Sequence, residues 1–201
     1  MTIIVMIKKI LSHGYEILGK RLGYDFNNKK EIEKQKIEIR NLLDFYIEKI
    51  LIKAGETNPP INPENLYPHF DVFAIKKIPW HSDASLITSK NGFEIIINST
   101  INNIQQRSAI AHELGHTLFY HFASNVPVRS QKMEYWEEEG MAYDIARKIL
   151  IPTFLIKKEI RNNPPSLALF EELVRTFNVS HEFMMRRLSE FLDWKIGRAH
   201  V

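Results

Sequence analysis

Apolar positions recur at helical spacing through residues 30–54, where Ile32, Ile37, Ile39, Leu42, Leu43, Tyr46, Ile47, Ile50 and Leu51 stand among Glu and Lys. A looser helical pattern (Ile7, Ile10, Leu11, Ile17, Leu18) covers residues 6–23 and is broken by Gly14. Gly55 stops the long helix, and Asn58-Pro59-Pro60-Ile61-Asn62-Pro63 reads as a turn. Within it Asn62 fits an N-cap and Pro63 the first position of a short helix. The period then changes. Val72 to Ile78 reads as a strand ended by Pro79, and the runs Ala84–Thr88 and Phe93–Asn98 flank Ser89-Lys90-Asn91-Gly92, a hairpin signal. Helical spacing returns from about Ile104 to Phe122 and again over 134–150, stopped near Pro152. Beyond Pro164-Pro165, Leu167–Thr176 and His181–Leu192 form a helical pair around Asn178-Val179-Ser180, with Ser180 as N-cap. The predicted class is α+β: mainly helical, with a small three-stranded sheet ahead of the 104–122 helix and a C-terminal helical pair.

Composition narrows the chemistry. The chain has 201 residues, 44% hydrophobic and 25% charged, which suits one globular domain with a small helical appendage. A net charge of +3, with no dense basic block, predicts no direct nucleic-acid contact. There is no cysteine, so disulfides, thiolate-bound zinc and cysteine nucleophiles are excluded, and a metal site must use His, Asp or Glu. The first residues are apolar too briefly for a signal peptide or a membrane span, and no other segment approaches twenty uninterrupted apolar residues; a cytoplasmic protein with no membrane partner is the expectation. Residues 195–201 back-translate to a common sequencing-adaptor read and are expected to be a non-native tail, the natural chain continuing past Trp194.

The candidate chemistry lies in His112-Glu113-Leu114-Gly115-His116, an instance of H-E-x-x-H. On a helix the two imidazoles lie about 40° apart on one face and can reach one ion, with Glu113 about 100° from His112, beside the attacking water. Ile110, Leu114 and Leu118 occupy the opposite side and face a core. Gly115 removes a side chain where backbone or substrate must come close. The alternative, two surface histidines and a capping glutamate, suits an apolar helix after a hairpin poorly, because that is a buried place for so much polarity.

A catalytic zinc needs a third protein ligand and an open position for water. On a helix continuing to Phe122, His121 lies about 180° from His112 and cannot join the same ion. The longer H-E-x-x-H-x-x-G-x-x-H form fails as well, with Phe119 and Phe122 at its last glycine and histidine. The next helix offers Glu138 and Glu139. Both flank the packed face marked by Ala142, Ile145, Ala146 and Ile149, at about −40° and +60° from Ala142, and periodicity does not choose between them. A helix N-terminus complementing its dipole accounts for the other carboxylates of this acidic run.

These residues resemble the ImmA/IrrE family of metallopeptidases. The likeness rests on Arg107-Ser108-Ala109-Ile110-Ala111 leading into HELGH, and on Glu139…Ala142…Ala146 followed by an aliphatic stretch closing on Pro152. It covers roughly residues 60–192 and is specific over 107–152. The resemblance implies a zincin-like fold, Glu139 as third ligand beside His112 and His116, Glu113 as the catalytic acid/base, one zinc ion and no other cofactor. It further implies a cytoplasmic endopeptidase, often encoded on mobile elements, that cleaves a helix-turn-helix repressor and so regulates transcription. Tyr143 stands where the family often has Asn, which puts a supporting partner of the histidines in doubt, and Asp144 is the substitute one position away. The expected divisions are an N-terminal helical region (1–58), a zinc metallopeptidase core (59–152), a C-terminal helical extension (153–194) and the tail.

In the expected mechanism Glu113 moves the proton of the attacking water, and Tyr120, Tyr135, Tyr143 and His181 are unranked candidates for the oxyanion donor. The peptide is expected to add along the edge of the strand preceding the metal helix. Two other classes compete: a repressor-binding module with a relic metal site, and a DNA-binding regulator using the C-terminal helices, whose 173–180 segment looks like a helix-turn-helix fragment.

Overall fold

The computed structural model describes residues 29–123, 126–129, 135–161 and 163–190. Its elements are α1 (Lys29–Ala54), β1 (Val72–Ile78), β2 (Ala84–Ser89), β3 (Gly92–Asn98), α2 (Asn103–His116), β4 (Tyr120–Ala123), β5 (Val126–Arg129), α3 (Tyr135–Leu150), α4 (Thr153–Ile160), α5 (Leu167–Phe177) and α6 (His181–Leu188). The class is the expected α+β, mainly helical with a small sheet ahead of α2 and a helical pair at the end. The expected helix over 6–23 and the tail at 195–201 lie outside the described residues.

The sheet is mixed, in the order β1-β3-β2, with β1 parallel and β2 antiparallel to β3. Ile95 sits between Ile75 and Leu86, which fixes the register on both sides. Phe93, Ile95 and Ile97 are fully buried while Glu94 and Ile96 are half-buried, so one face of β3 meets the core. The hairpin loop is Lys90-Asn91, since Ser89 already pairs with Gly92. Because β3 is the middle strand, it offers no edge to a docking peptide. The outer strand on the α2 side is β2.

A capping box starts α2: Asn102 Oδ1 accepts from the Gln105 amide at 3.0 Å, and Gln105 Oε1 accepts from the Asn102 amide at 3.2 Å. The helix ends at His116, six residues before the expected Phe122. Thr117 Oγ1 turns back to donate to the Leu114 carbonyl at 2.8 Å, a 3-10 turn follows, and Tyr120–Ala123 pairs with Val126–Arg129 as a separate antiparallel ribbon. The apolar spacing of Ile110, Leu114 and Leu118 imitates a longer helix, but aromatic and β-branched residues on both arms favour the ribbon. His121 is therefore on β4, opposite Val128, so the helical-wheel argument against it loses its premise.

One hydrophobic core takes side chains from α1 (Leu43, Ile47, Leu51), the sheet, α2, α3 and the last two helices (Leu173, Leu188), so it draws on all three of the expected divisions. Ala142, Ile145, Ala146 and Ile149 are fully buried, as the packed face of α3 requires. Arg107 ties α2 to its surroundings through the Ile61 carbonyl at 2.8 Å and the Phe177 carbonyl at 3.3 Å. Helix α4, which the sequence pattern left unassigned, follows Pro152 as N-cap. Helices α5 and α6 carry the expected Ser180 cap, which accepts from the Phe183 amide at 3.2 Å.

On α3, Gly140 is exposed and a Cβ there meets nothing within 4 Å. Gly140→Ala is expected to stabilise the protein by about 0.5–1 kcal/mol, because the helix gains propensity and the unfolded chain loses freedom. Thermal denaturation should show a rise of roughly 1–4 °C.

Candidate active site

His112 and His116 leave one edge of α2 a single turn apart, and Glu139 reaches them from α3. His112 Nε2 lies 2.9 Å from His116 Nε2 and 3.2 Å from Glu139 Oε2, and His116 Nε2 lies 3.4 Å from Glu139 Oε1. Among the described residues these three make up a group able to hold a metal ion, each offering one ligand atom within 4.8 Å of the others. Two ligands about 2.0–2.1 Å from zinc at a tetrahedral angle stand about 3.3 Å apart. The three measured separations bracket that edge, and two imidazoles and a carboxylate suit zinc chemically, so the residues present fit the ion. Glu139 is thus brought to the histidines. The Glu138 side chain lies outside the described residues.

The close approach of α2 and α3 depends on Gly115. A Cβ there would stand 2.8 Å from the Ala142 carbonyl oxygen and 3.1 Å from its Cα, so the two backbones touch where a side chain would otherwise separate them. Glycine on one helix and Ala142 on the other let Glu139 arrive one turn before the contact.

Glu113 is 9% exposed and accepts a hydrogen bond from the backbone N–H of Leu86 on β2. Burial, reinforced by the charge of Glu139, pushes its carboxyl up to about 7, against the lowering effects of His116 and the Leu86 amide. In the metal-free protein this has a defined sign. The folded state keeps the Glu113 proton up to about pH 7, whereas the unfolded chain releases it near 4.5. Stability is therefore present below about pH 4.5 and lost as pH rises to about 7, by about 3 kcal/mol at most. Glu113→Gln should remove that slope. Denaturant titrations of both metal-free proteins at pH 5 and pH 8 measure it, and parallel curves would rule it out.

Tyr143 lies on the ring of His112, with centroids 4.2 Å apart and planes tilted by 41°, and is 50% exposed. Burial, then Glu139, Asp83, Glu113 and Glu182, raise its phenol above the usual tyrosine value. Asp144 does not take up the histidines; it pairs with Arg147 on its own helix. Of the remaining oxyanion candidates, His181 is engaged with Glu171, 3.1 and 3.2 Å from its two carboxylate oxygens, and the side chains of Tyr120 and Tyr135 lie outside the described residues. The Leu86 amide is a participant that sequence reasoning missed. No side-chain signal marks a backbone group contributed from a strand 27 positions upstream.

A protein-family model described as the IrrE N-terminal-like domain, a peptidase family, matches residues 69–189. No match was found among curated proteins. The matched span runs from the turn before β1 to the end of α6 and contains the two histidines, Glu113, Glu139 and Tyr143.

Proposed function

The chain belongs to the IrrE N-terminal-like family of peptidases, and from that premise we propose that it is a zinc-dependent endopeptidase of the cytoplasm that cuts a regulatory protein, a helix-turn-helix repressor. The observation that carries the metal reading is the convergence of His112, His116 and Glu139 at ligand-edge separations beside a buried Glu113. In this reading the chemistry belongs to the 59–152 segment, with the flanking helices as its support. No described helix is long and apolar enough to cross a membrane.

His112, His116 and Glu139 would hold the zinc ion, which when bound would supply a Lewis acid for the scissile carbonyl and lower the pKa of water. Glu113 takes a proton from the attacking water and returns it to the leaving amine. The Leu86 amide holds the Glu113 carboxylate in place. Tyr143 packs the His112 ring and directs its hydroxyl to the oxyanion. The substrate adds as a strand beside β2, the outer strand of the sheet nearest Glu113. Asp83 and Glu182 add negative charge around Tyr143, although Glu182 shares its charge with Arg186, and an acidic mouth favours a basic segment of the kind a DNA-binding protein presents.

The test incubates the zinc-loaded protein with a small helix-turn-helix repressor, chosen from a reading frame neighbouring its gene where one encodes such a protein. Discrete fragments that disappear with a chelator are the expected result. An intact repressor after prolonged incubation, with zinc bound at one equivalent, would overturn the substrate assignment.

A further inference from the structure

A cavity of about 430 Å³ opens between α1, the end of α3, α4 and the end of α6, and shares no residue with the metal group. Its floor is unusual for a crevice between helices. Lys148 and Arg187 are 2% and 0% exposed, two cations taken out of water side by side. Arg187 is committed to the fold: its Nε donates to the Ile151 carbonyl at 2.9 Å, Nη2 donates to Thr153 Oγ1 at 2.7 Å and lies 3.3 Å from Asp44, and Nη1 pairs with Glu190. Lys148 is placed differently. Its Nζ lies 2.9 Å from Asp44 Oδ1, and that same oxygen also takes the Thr153 hydroxyl at 2.8 Å. One ammonium has three donors, and the contact with Asp44 accounts for one of them.

The lining charges are Arg40, Lys148, Lys157 and Arg187 against Asp44, Glu48 and Glu190. The surplus is positive, and burial followed by the charge of Arg187 holds the Lys148 ammonium below the usual lysine value despite Asp44. An arriving anion would relieve that unfavourable desolvation. The volume lies within the range of about 300–1,000 Å³ typical of small-ligand sites and is several times what a bare oxyanion fills. The rim supplies the complement: Phe45 is 47% exposed on α1 and lines the same cavity, with the Lys49 ammonium 5.3 Å from its ring centre on one side.

We propose that this cavity binds a ligand of the nucleotide class, a phosphate carried on a planar ring, with Lys148 at its floor and Arg40 at its rim on the phosphate and Phe45 against the ring. A lysine point charge and an arginine fork are the usual pair for a phosphate, and a flat ring is what an exposed phenylalanine recognises without hydrogen bonds. The inference does not rest on the peptidase reading, because binding is measured with or without zinc.

Calorimetric titration of the full chain with AMP, GMP, adenosine and inorganic phosphate tests it. At least one mononucleotide should bind saturably with a dissociation constant below about 1 mM, with adenosine and phosphate each at least about tenfold weaker. Lys148→Met should weaken the nucleotide about tenfold or more, and Phe45→Ala should weaken the nucleotide but not phosphate. Arg40→Ala, on the exposed rim, gives the phosphate arm of the test if Lys148→Met does not fold. Absence of saturable binding up to about 10 mM would overturn the proposal and leave a solvent-filled gap. Adenosine binding as tightly as the nucleotide, or inorganic phosphate doing so, would overturn it as well, since either removes one half of the recognition.

Discussion

Glu113→Gln is expected to lower the rate of peptide hydrolysis by about 10²–10⁴-fold while leaving bound zinc near one equivalent. The substitution keeps the shape and the acceptor for the Leu86 amide, so the contact to β2 survives. What it removes is the ability to take a proton from water. In the folded, metal-free protein burial pushes the native carboxyl up to about 7. The ligands are untouched, because Nε2 of both histidines and the Glu139 carboxylate face one another without Glu113. Metal analysis alongside a cleavage assay on the repressor separates the two properties. Full cleavage by the variant would refute the role of Glu113. Release of repression in cells carrying the variant would favour the competing class, a binding module that recognises its partner without cutting it. Glu139→Gln gives the opposite pattern: it should lose metal affinity first and activity only as a consequence.

The parts of this site that were legible in the sequence are those fixed by local periodicity. Four-residue spacing puts His112 and His116 on one edge of a helix wherever that helix is. The packed face of α3 was likewise readable from Ala142, Ile145, Ala146 and Ile149. Choosing Glu139 over Glu138 was not possible from spacing, since both flank that face, and it took the family likeness to decide. The structure then shows why the choice matters: the contact at Gly115 and Ala142 sets the phase of α3 against α2, and phase between two helices is a tertiary quantity. The end of α2 departs from the sequence pattern for a related reason. Leu118 and Phe122 fit a helical stripe, but an antiparallel partner three to nine residues on gives the backbone of 120–123 its own hydrogen bonds, and a helical period does not register such pairing. The order of the sheet, which puts β3 in the middle and leaves β1 and β2 as outer strands, also depends on which strand crosses between two others. The hairpin signal establishes β2 beside β3, but nothing in β1 says that it will lie on the far side.

Gly115→Ala should weaken zinc binding by about 10–100-fold, and it should do so in a helix that alanine favours on its own. Two effects oppose each other. Replacing glycine inside α2 gains about 1 kcal/mol of helix propensity. The new methyl group, however, would stand 2.8 Å from the Ala142 carbonyl oxygen and 3.3 Å from its carbonyl carbon, and neither atom can rotate away as a side chain would. Ordinary contact requires the helices to part locally by about half an ångström or more, and overpacking of this kind costs about 1–3 kcal/mol. The overlap is expected to win, so the metal-free variant should melt below the wild type. Its effect on the metal is larger in consequence, because the separation lies between the helix that carries the histidines and the helix that carries Glu139. Ligand distances tolerate about 0.2 Å of change, less than half of the displacement required. Competition for zinc against a chromophoric chelator, with thermal denaturation of the metal-free proteins, measures both quantities. Gly140→Ala is the internal control: the same substitution on the partner helix, beside Glu139 but in open space, should raise stability and leave zinc affinity unchanged. If Gly115→Ala instead behaves like that control, the backbone contact does not set the distance between the helices, and the placement of Glu139 must be held by something other than the glycine.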